Sequence, residues 1–293
     1  MESAASGAMD RLTRGLSIDD GELAGRHGAI PIRTYQAKNV EPIATLVWAH
    51  GGAFAFGGLD QLESHAVGAA IAQANIRVIA VDYHLVPAMK WYGPQQKFPL
   101  SGTRFPIPVD DVVDAFRAVL GEARPVLLGG ASAGACLCAS ALRVLKKDGA
   151  QLPAAAIFAY GVFHPYLVKP DPELRQRLRS LRGVFAFKQD QVDRFSRNYA
   201  GSEAAMHDPM AFPGLAEPEQ MPPTLFLDAD VDSLRASSTQ YALSLGQGGT
   251  DVTHTVVSNS VHGFLDRPGH PEFTAGIAAM AAWIKQVAHS VRE

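Results

Sequence analysis

Apolar residues along this chain gather in short runs broken by polar, glycine-rich and proline-rich stretches, and the runs alternate between two periods. Residues 43–49 are almost unbroken apolar, as in a strand covered on both faces. Residues 77–81, 125–129, 154–160, 224–228 and 251–257 read as strands too. Earlier, Ile30 and Ile32 alternate with Pro31, Arg33 and Tyr35, a strand whose proline points to a sheet edge. Helical stretches are predicted between them, over 59–74, 109–120 and 133–147, with Gly149 ending the third and a closing helix over 273–289. Residues 1–24 read as a short, weakly amphipathic helix and a loop. Strands alternating with helices predict an α/β fold, a mostly parallel central sheet with helices on both faces.

One segment breaks the alternation. Between residues 164 and 222 the chain carries Leu174, Leu178, Phe185, Phe187, Phe195 and Tyr199, followed by a return through Pro209, Pro213, Pro218 and Pro222. An insertion of that length between two strands is usually functional, often a lid. A helical cap is expected there.

Composition narrows the function classes. Of 293 residues, 47% are apolar and 19% charged, enough for a substantial core, and the formal net charge of −3 offers no footprint for nucleic acid or an anionic membrane. No apolar run approaches the roughly 20 residues of a membrane span, and the first twenty residues lack the apolar core of a signal peptide. The only cysteines, Cys136 and Cys138, fall two apart in a predicted helix and point to different faces, so a reduced, cytoplasmic setting is expected. No metal or organic cofactor is called for, because the chain has no His-Glu-x-x-His, no Cys-x-x-Cys pair and no phosphate-binding glycine loop.

The chemistry centres on Gly130-Ala131-Ser132-Ala133-Gly134, which lies between a predicted strand and a predicted helix. A Gly-x-Ser-x-Gly alone arises by chance in roughly one chain in ten of this length. Its flanks raise it, since strand, tight turn and helix in that order are what a nucleophile elbow requires. Serine needs a base, and the base needs a third group to hold its tautomer. Beyond later strand ends stand Asp228, Asp230 and Asp232, then His262 followed by Gly263 and Phe264. His254 is the rival base but lies inside a predicted strand, and His270 follows in a turn. For the oxyanion, the small residues of His50-Gly51-Gly52-Ala53 can turn backbone N–H groups inward, and Ala133 follows the serine.

His50 to Phe54, Asp82 to Pro87, Gly130 to Gly134, Asp232 to Arg235 and His262 to Phe264, taken together in this order, resemble the hormone-sensitive lipase family of α/β-hydrolase esterases. The resemblance covers roughly residues 28–290. It implies an α/β-hydrolase fold with a helical cap, Ser132 as nucleophile, His262 as general base and acid, and Asp232 as the orienting acid. It also implies Gly52, Ala53 and Ala133 as oxyanion donors, with Gly51 in reserve. Several positions depart from the family: Ala131 stands in place of an acid, Ala53 in place of a third glycine, His84 and Ala88 in place of a common Arg and Glu. The 88–106 loop is longer than usual and the N-terminal segment shorter.

The domain reading is therefore an N-terminal segment, 1–27, contributing to an abbreviated cap, a catalytic domain over 28–163 and 223–293, and a cap insertion over 164–222. The expected function is a serine carboxylesterase acting on small-molecule esters of short-to-medium acyl length, without nucleic-acid or membrane partners; the family expectation for assembly is a homodimer. Phe54, Trp91, Tyr92, Phe163 and Phe185 are candidates to line the substrate pocket. The competing readings are an amidase, lactonase or carbamate hydrolase with the same triad, and a non-catalytic ligand-binding homologue.

Overall fold

The structure, a computed structural model, describes residues 2–121 and 123–291, with the side chains of residues 2–6 and 185 outside the described set. The chain runs α1 (Glu2–Thr13), β1 (Leu16–Gly25), β2 (Gly28–Ala37), β3 (Thr45–Ala49), α2 (Leu62–Ala72), β4 (Arg77–Val81), α3 (Ile107–Ala118), β5 (Val126–Ala131), α4 (Ala133–Lys147) and β6 (Ala155–Ala159). The insertion follows, with α5 (Pro172–Leu178), a 3-10 turn at Leu181–Phe185, α6 (Gln189–Ala200) and α7 (Glu203–Met206). The core resumes with β7 (Thr224–Val231), α8 (Arg235–Gln247), β8 (Val252–Val261) and α9 (Pro271–Ser290).

The described strands form one eight-stranded sheet in the order β1-β2-β4-β3-β5-β6-β7-β8. The pairs from β4 to β8 are parallel, while β1–β2 and β2–β4 are antiparallel. The unbroken apolar runs are central strands: every residue of β3, β5 and β6 is buried. Along β3 the side chains alternate, Val47 and Ala49 entering one core and Leu46 and Trp48 the other. The first core is closed by α3, α4, α8 and the inner face of α6, the second by α1, α2 and α9.

Three expectations need correcting. Residues 16–25 form β1 rather than a loop, and β1, not β2, is the sheet edge. Pro31 is tolerated inside because it lies just past the β2–β4 ladder, which ends at Ile32 against Val81, and its carbonyl accepts from the Asp82 N–H there. The N-terminal segment joins the sheet through β1, and Met9 and Leu12 of α1 pack against the second core. Helix α8 was not expected at all. Its buried stripe is made of Ala236, Ser237, Ser238, Tyr241, Ala242 and Leu245, too small and polar to register as an apolar face. Both cysteines are free and buried, and burial pushes their thiols well above the usual range. No helix among the described residues is long and apolar enough to cross a membrane.

The chain leaves β3 for β4 on one side and later returns to β5 on the other. The carboxyl ends of β3 and β5 therefore flank a topological switch point, where sheets of this kind open a crevice.

Candidate active site

At the end of β5 the chain turns straight into α4, and two glycines make the turn feasible. A Cβ on Gly130 would come 2.6 Å from the backbone of Gly134, and one on Gly134 would come 2.2 Å from the Ala49 carbonyl oxygen. Between them Ser132 sits at φ 52°, ψ −114°, with its N–H donated to the Ala159 carbonyl at 2.9 Å. A non-glycine residue at positive φ is strained and persists only where its surroundings over-determine it. Among the described residues seven non-glycines have positive φ; three are asparagines, which tolerate that region, and the other four are Ala53, Phe54, Ser132 and Tyr160. Strain in this molecule gathers at one rim.

Ser132 Oγ lies 3.0 Å from His262 Nε2, and His262 Nδ1 lies 2.7 Å from Asp232 Oδ2. The second oxygen of Asp232 accepts the Leu234 N–H at 2.9 Å. Each of the three candidate aspartates has its own partner: Asp228 pairs with His254 at 2.7 Å, while Asp230 accepts from Arg177 and from the Asn259 N–H, both at 2.9 Å. Only Asp232, just beyond β7, reaches the imidazole that faces the serine. Burial pulls the His262 pKa down, but the Asp232 charge and hydrogen bond outweigh it, helped by Glu63 and Asp228, and the net position is above the ordinary histidine value. His270 caps α9 and has no place in this line.

The oxyanion candidates separate. Gly51 donates its N–H to the buried Glu63 carboxylate at 2.6 Å, so the reserve donor is already engaged. The N–H groups of Gly52, Ala53 and Ala133 meet no acceptor among the described residues. Gly52 (φ 115°), Ala53 (φ 51°) and Phe54 (φ 65°) form a run of positive φ that aims successive N–H groups away from the usual strand directions. Gly52 alone admits the return of the loop, since a Cβ there would fall 2.0 Å from the Phe56 carbonyl oxygen.

The aromatic candidates fare unevenly. Phe54 and Phe163 are fully buried; Phe54 stacks on Tyr199 at 4.0 Å between centroids, and Phe163 packs among Phe158, Phe226 and Tyr241. With no exposed surface they offer a substrate nothing in this conformation. Tyr92 is 75% exposed and lines a cavity of about 530 Å³ with Met89, Leu100, Arg194 and Asn198. Trp91 belongs to an aromatic path to His262, stacked between Phe56 at 6.2 Å and Phe187 at 6.4 Å, and Phe54 reaches the same Phe187 through Phe195. The side chain of Phe185 lies outside the described residues. Phe187, its neighbour but one and not chosen from the sequence, sets its ring edge-on to His262 at 5.0 Å. Glu63 and Tyr160 were also missed. Glu63 looks from sequence like an ordinary acid at a helix start, and Tyr160 like the end of a buried strand. At position 84 the histidine that stands in place of an arginine finds a partner, its Nδ1 lying 2.8 Å from the buried Asp111.

Residues 46–266 match a protein family described by the α/β-hydrolase fold. Among curated proteins, the chain is 27% identical to the carboxylic ester hydrolase LipN of Mycobacterium tuberculosis, over 86% of this chain and 65% of that one. It is 28% identical to an acetyl-hydrolase of Streptomyces hygroscopicus, over 71% and 64%. The chain thus spans just under two thirds of the length of both. An arylesterase of Saccharolobus solfataricus is 26% identical over 82% of this chain and 74% of its own. Two solved structures share the fold: an esterase of Pyrobaculum calidifontis, with TM-score 0.78, 24% identity and coverage of 98% and 92%, and a brefeldin A esterase described as a bacterial homologue of human hormone-sensitive lipase, with TM-score 0.79, 19% identity and coverage of 98% and 85%.

Proposed function

The chain belongs to the α/β-hydrolase fold family, and from that premise we propose that it is a serine carboxylic ester hydrolase working through an acyl-enzyme. The observation that carries the reading is the unbroken line from Ser132 Oγ through the His262 imidazole to Asp232, with contacts of 3.0 and 2.7 Å. Asp232 holds the proton on Nδ1, which leaves the Nε2 lone pair facing the serine hydroxyl. Ser132 attacks the ester carbonyl as His262 takes its proton, and the oxygen that gains charge is received by the N–H groups of Gly52, Ala53 and Ala133. His262 then gives its proton to the departing alcohol, and water, activated by the same imidazole, releases the acid and restores the serine. The names of the curated relatives, a carboxylic ester hydrolase, an acetyl-hydrolase and an arylesterase, support the same bond class.

The alcohol leaves on the His262 side, where Phe187 and Trp91 lie, so the leaving group meets an aromatic surface. The name of one curated relative, an acetyl-hydrolase, supports esters of short-to-medium acyl length over long chains. The test is a series of p-nitrophenyl esters from acetate upward, with Ser132→Ala as blank. The expected result is a burst of p-nitrophenol followed by turnover that falls as the acyl chain lengthens, and a variant without either. Undiminished turnover by Ser132→Ala removes the nucleophile assignment.

A further inference from the structure

We infer that Glu63 is a positioning residue for this reaction, its buried carboxylate fastening the oxyanion loop behind the serine and adding negative charge beside His262. The inference rests on the hydrolase reading above and deepens it.

Glu63 is the second residue of α2 and only 3% exposed, although the rest of that helix is largely apolar. An acid in a first helical turn ordinarily faces water and answers the helix dipole. This one points inward, and its polar groups reach four segments. Oε2 accepts the Gly51 N–H at 2.6 Å and Oε1 accepts the Tyr160 hydroxyl at 2.5 Å. Its backbone carbonyl accepts the Trp48 indole N–H at 2.9 Å, and its backbone N–H donates to Asp266 Oδ1 at 3.0 Å. The end of β3, the loop after it, the end of β6 and the turn after His262 are thereby tied to one side chain and its backbone.

The fit leaves no slack. A Cβ on Gly51 would come 2.3 Å from Glu63 Oε2 and 3.0 Å from Ser132 Cβ, so the carboxylate, the loop and the nucleophile are in contact across a single glycine. Hydrogen bonds to an ionised acceptor are about twice as strong as neutral ones. Both bonded segments need that strength, because Tyr160 (φ 36°) and the run Gly52-Ala53-Phe54 are held at positive φ. With the Gly51 N–H drawn back to Glu63, the next two N–H groups are left to face the reacting carbonyl. Tyr160 extends the arrangement to the base, its ring set edgewise to that of His262 with 5.0 Å between centroids.

The electrostatic part follows from what surrounds His262. Asp232 and Asp228 act on it from the β7 side and Glu63 from α2, while Tyr160 contributes a neutral ring from the end of β6. Asp266, in the turn after His262, faces Glu63, with Arg267 as its neighbouring cation. Ala131 leaves the nucleophile elbow without an acid of its own, and Glu63 places one behind the elbow from a different element.

The test compares Glu63→Gln and Glu63→Ala with wild type on p-nitrophenyl acetate, with rates expressed per active site titrated by the burst. For Glu63→Gln, which keeps the shape and loses the charge, kcat is expected to fall about tenfold with KM within twofold, and the acid limb of kcat/KM to move to lower pH. For Glu63→Ala the fall in kcat approaches the roughly hundredfold cost of one oxyanion donor. Wild-type kcat and an unmoved acid limb in Glu63→Gln overturn the inference, as does a loss found wholly in the titratable fraction or in KM. Should the position-63 variants not fold, Tyr160→Phe decides: a kcat about threefold lower at unchanged KM supports the role, and wild-type kcat overturns it. Failure of the hydrolase reading shows itself separately, as a wild type without turnover that depends on Ser132, and the role of Glu63 falls with it.

Discussion

Strands β7 and β8 present two aspartate–histidine pairs built from the same chemistry, and they differ in what the imidazole is left to do. Asp228 with His254 and Asp232 with His262 are both joined at 2.7 Å, and both carboxylates are fully buried. His254 turns Nε2 to its acid from within β8, whereas His262, one residue past the end of that strand, turns Nδ1 and keeps Nε2 toward Ser132. The inner pair bridges neighbouring strands diagonally, His254 lying opposite Phe226 and Asp228 opposite Val256. The outer pair stands on loops at the carboxyl ends, where the strained serine also stands. Two residues in hydrogen-bonded contact are therefore no signature of catalysis by themselves; position along the strand and the nitrogen left free decide it.

Removing each acid in turn separates the pairs most sharply. Asp232→Asn lets His262 adopt the wrong tautomer, and kcat is expected to fall about 10⁴-fold. Asp228→Asn is expected to leave kcat/KM within a few-fold of wild type, because His254 takes no part in the reaction. Initial rates on p-nitrophenyl acetate check both, and equal losses in the two variants would erase the distinction. Substituting the inner histidine gives the complementary result. His254→Gln disturbs the imidazole contact of a fully buried carboxylate whose pKa burial has already raised, and is expected to cost about 1–3 kcal/mol in urea unfolding with activity retained. His262→Gln should show the reverse, lost activity with little change in the unfolding midpoint.

The next effect is a matter of pH. His262 must be neutral to act as base, and its pKa lies above the ordinary value of 6.5, so kcat/KM is expected to fall as pH drops through a limb centred above 6.5. The His254→Gln variant should keep that limb unchanged. A limb that moves with position 254 would mean that the inner pair, not the outer, sets the profile.

Much of the outer pair was legible in the sequence, and the reason is local. Ser132 is flanked by glycines that the turn cannot do without, and His262 is followed by a glycine that takes φ 74°. Such residues mark geometry directly. Choosing Asp232 over Asp228 and Asp230 needed the family resemblance, since alternation along a strand puts all three on one face and spacing does not say which one clears the strand end. Glu63 and Phe187 escaped because their roles depend on contacts across distant elements: a helix-start acid looks solvated, and an aromatic in an insertion looks like packing. The engagement of Gly51, a donor held only in reserve, was hidden for the same reason, its N–H being taken by a side chain twelve residues on. The fold shows the same division. The stretches read as 77–81 and 133–147 coincide with their elements to the residue, whereas α8, with a stripe of alanines and serines, gave no apolar period to read.

The smallest expected effect concerns the charge gathered around the outer pair. Asp266 sits beside Glu63, and burial together with that neighbour pushes its carboxyl up to about 6, from an ordinary 3.8. A folded-state pKa above the unfolded one means that the folded protein prefers the protonated acid. The stability associated with it is therefore fully present below about pH 4 and is lost as pH rises through about 6. Two units correspond to about 3 kcal/mol, and because the residue is only partly buried, solvent screening reduces this to about 1 kcal/mol. Asp266→Asn keeps an oxygen for the Glu63 N–H and removes the repelling charge, so it is expected to raise the unfolding midpoint at pH 8 and leave it unchanged at pH 4. A midpoint that fails to rise at pH 8 in Asp266→Asn would mean that the rim carries no more uncompensated charge than the strands beneath it.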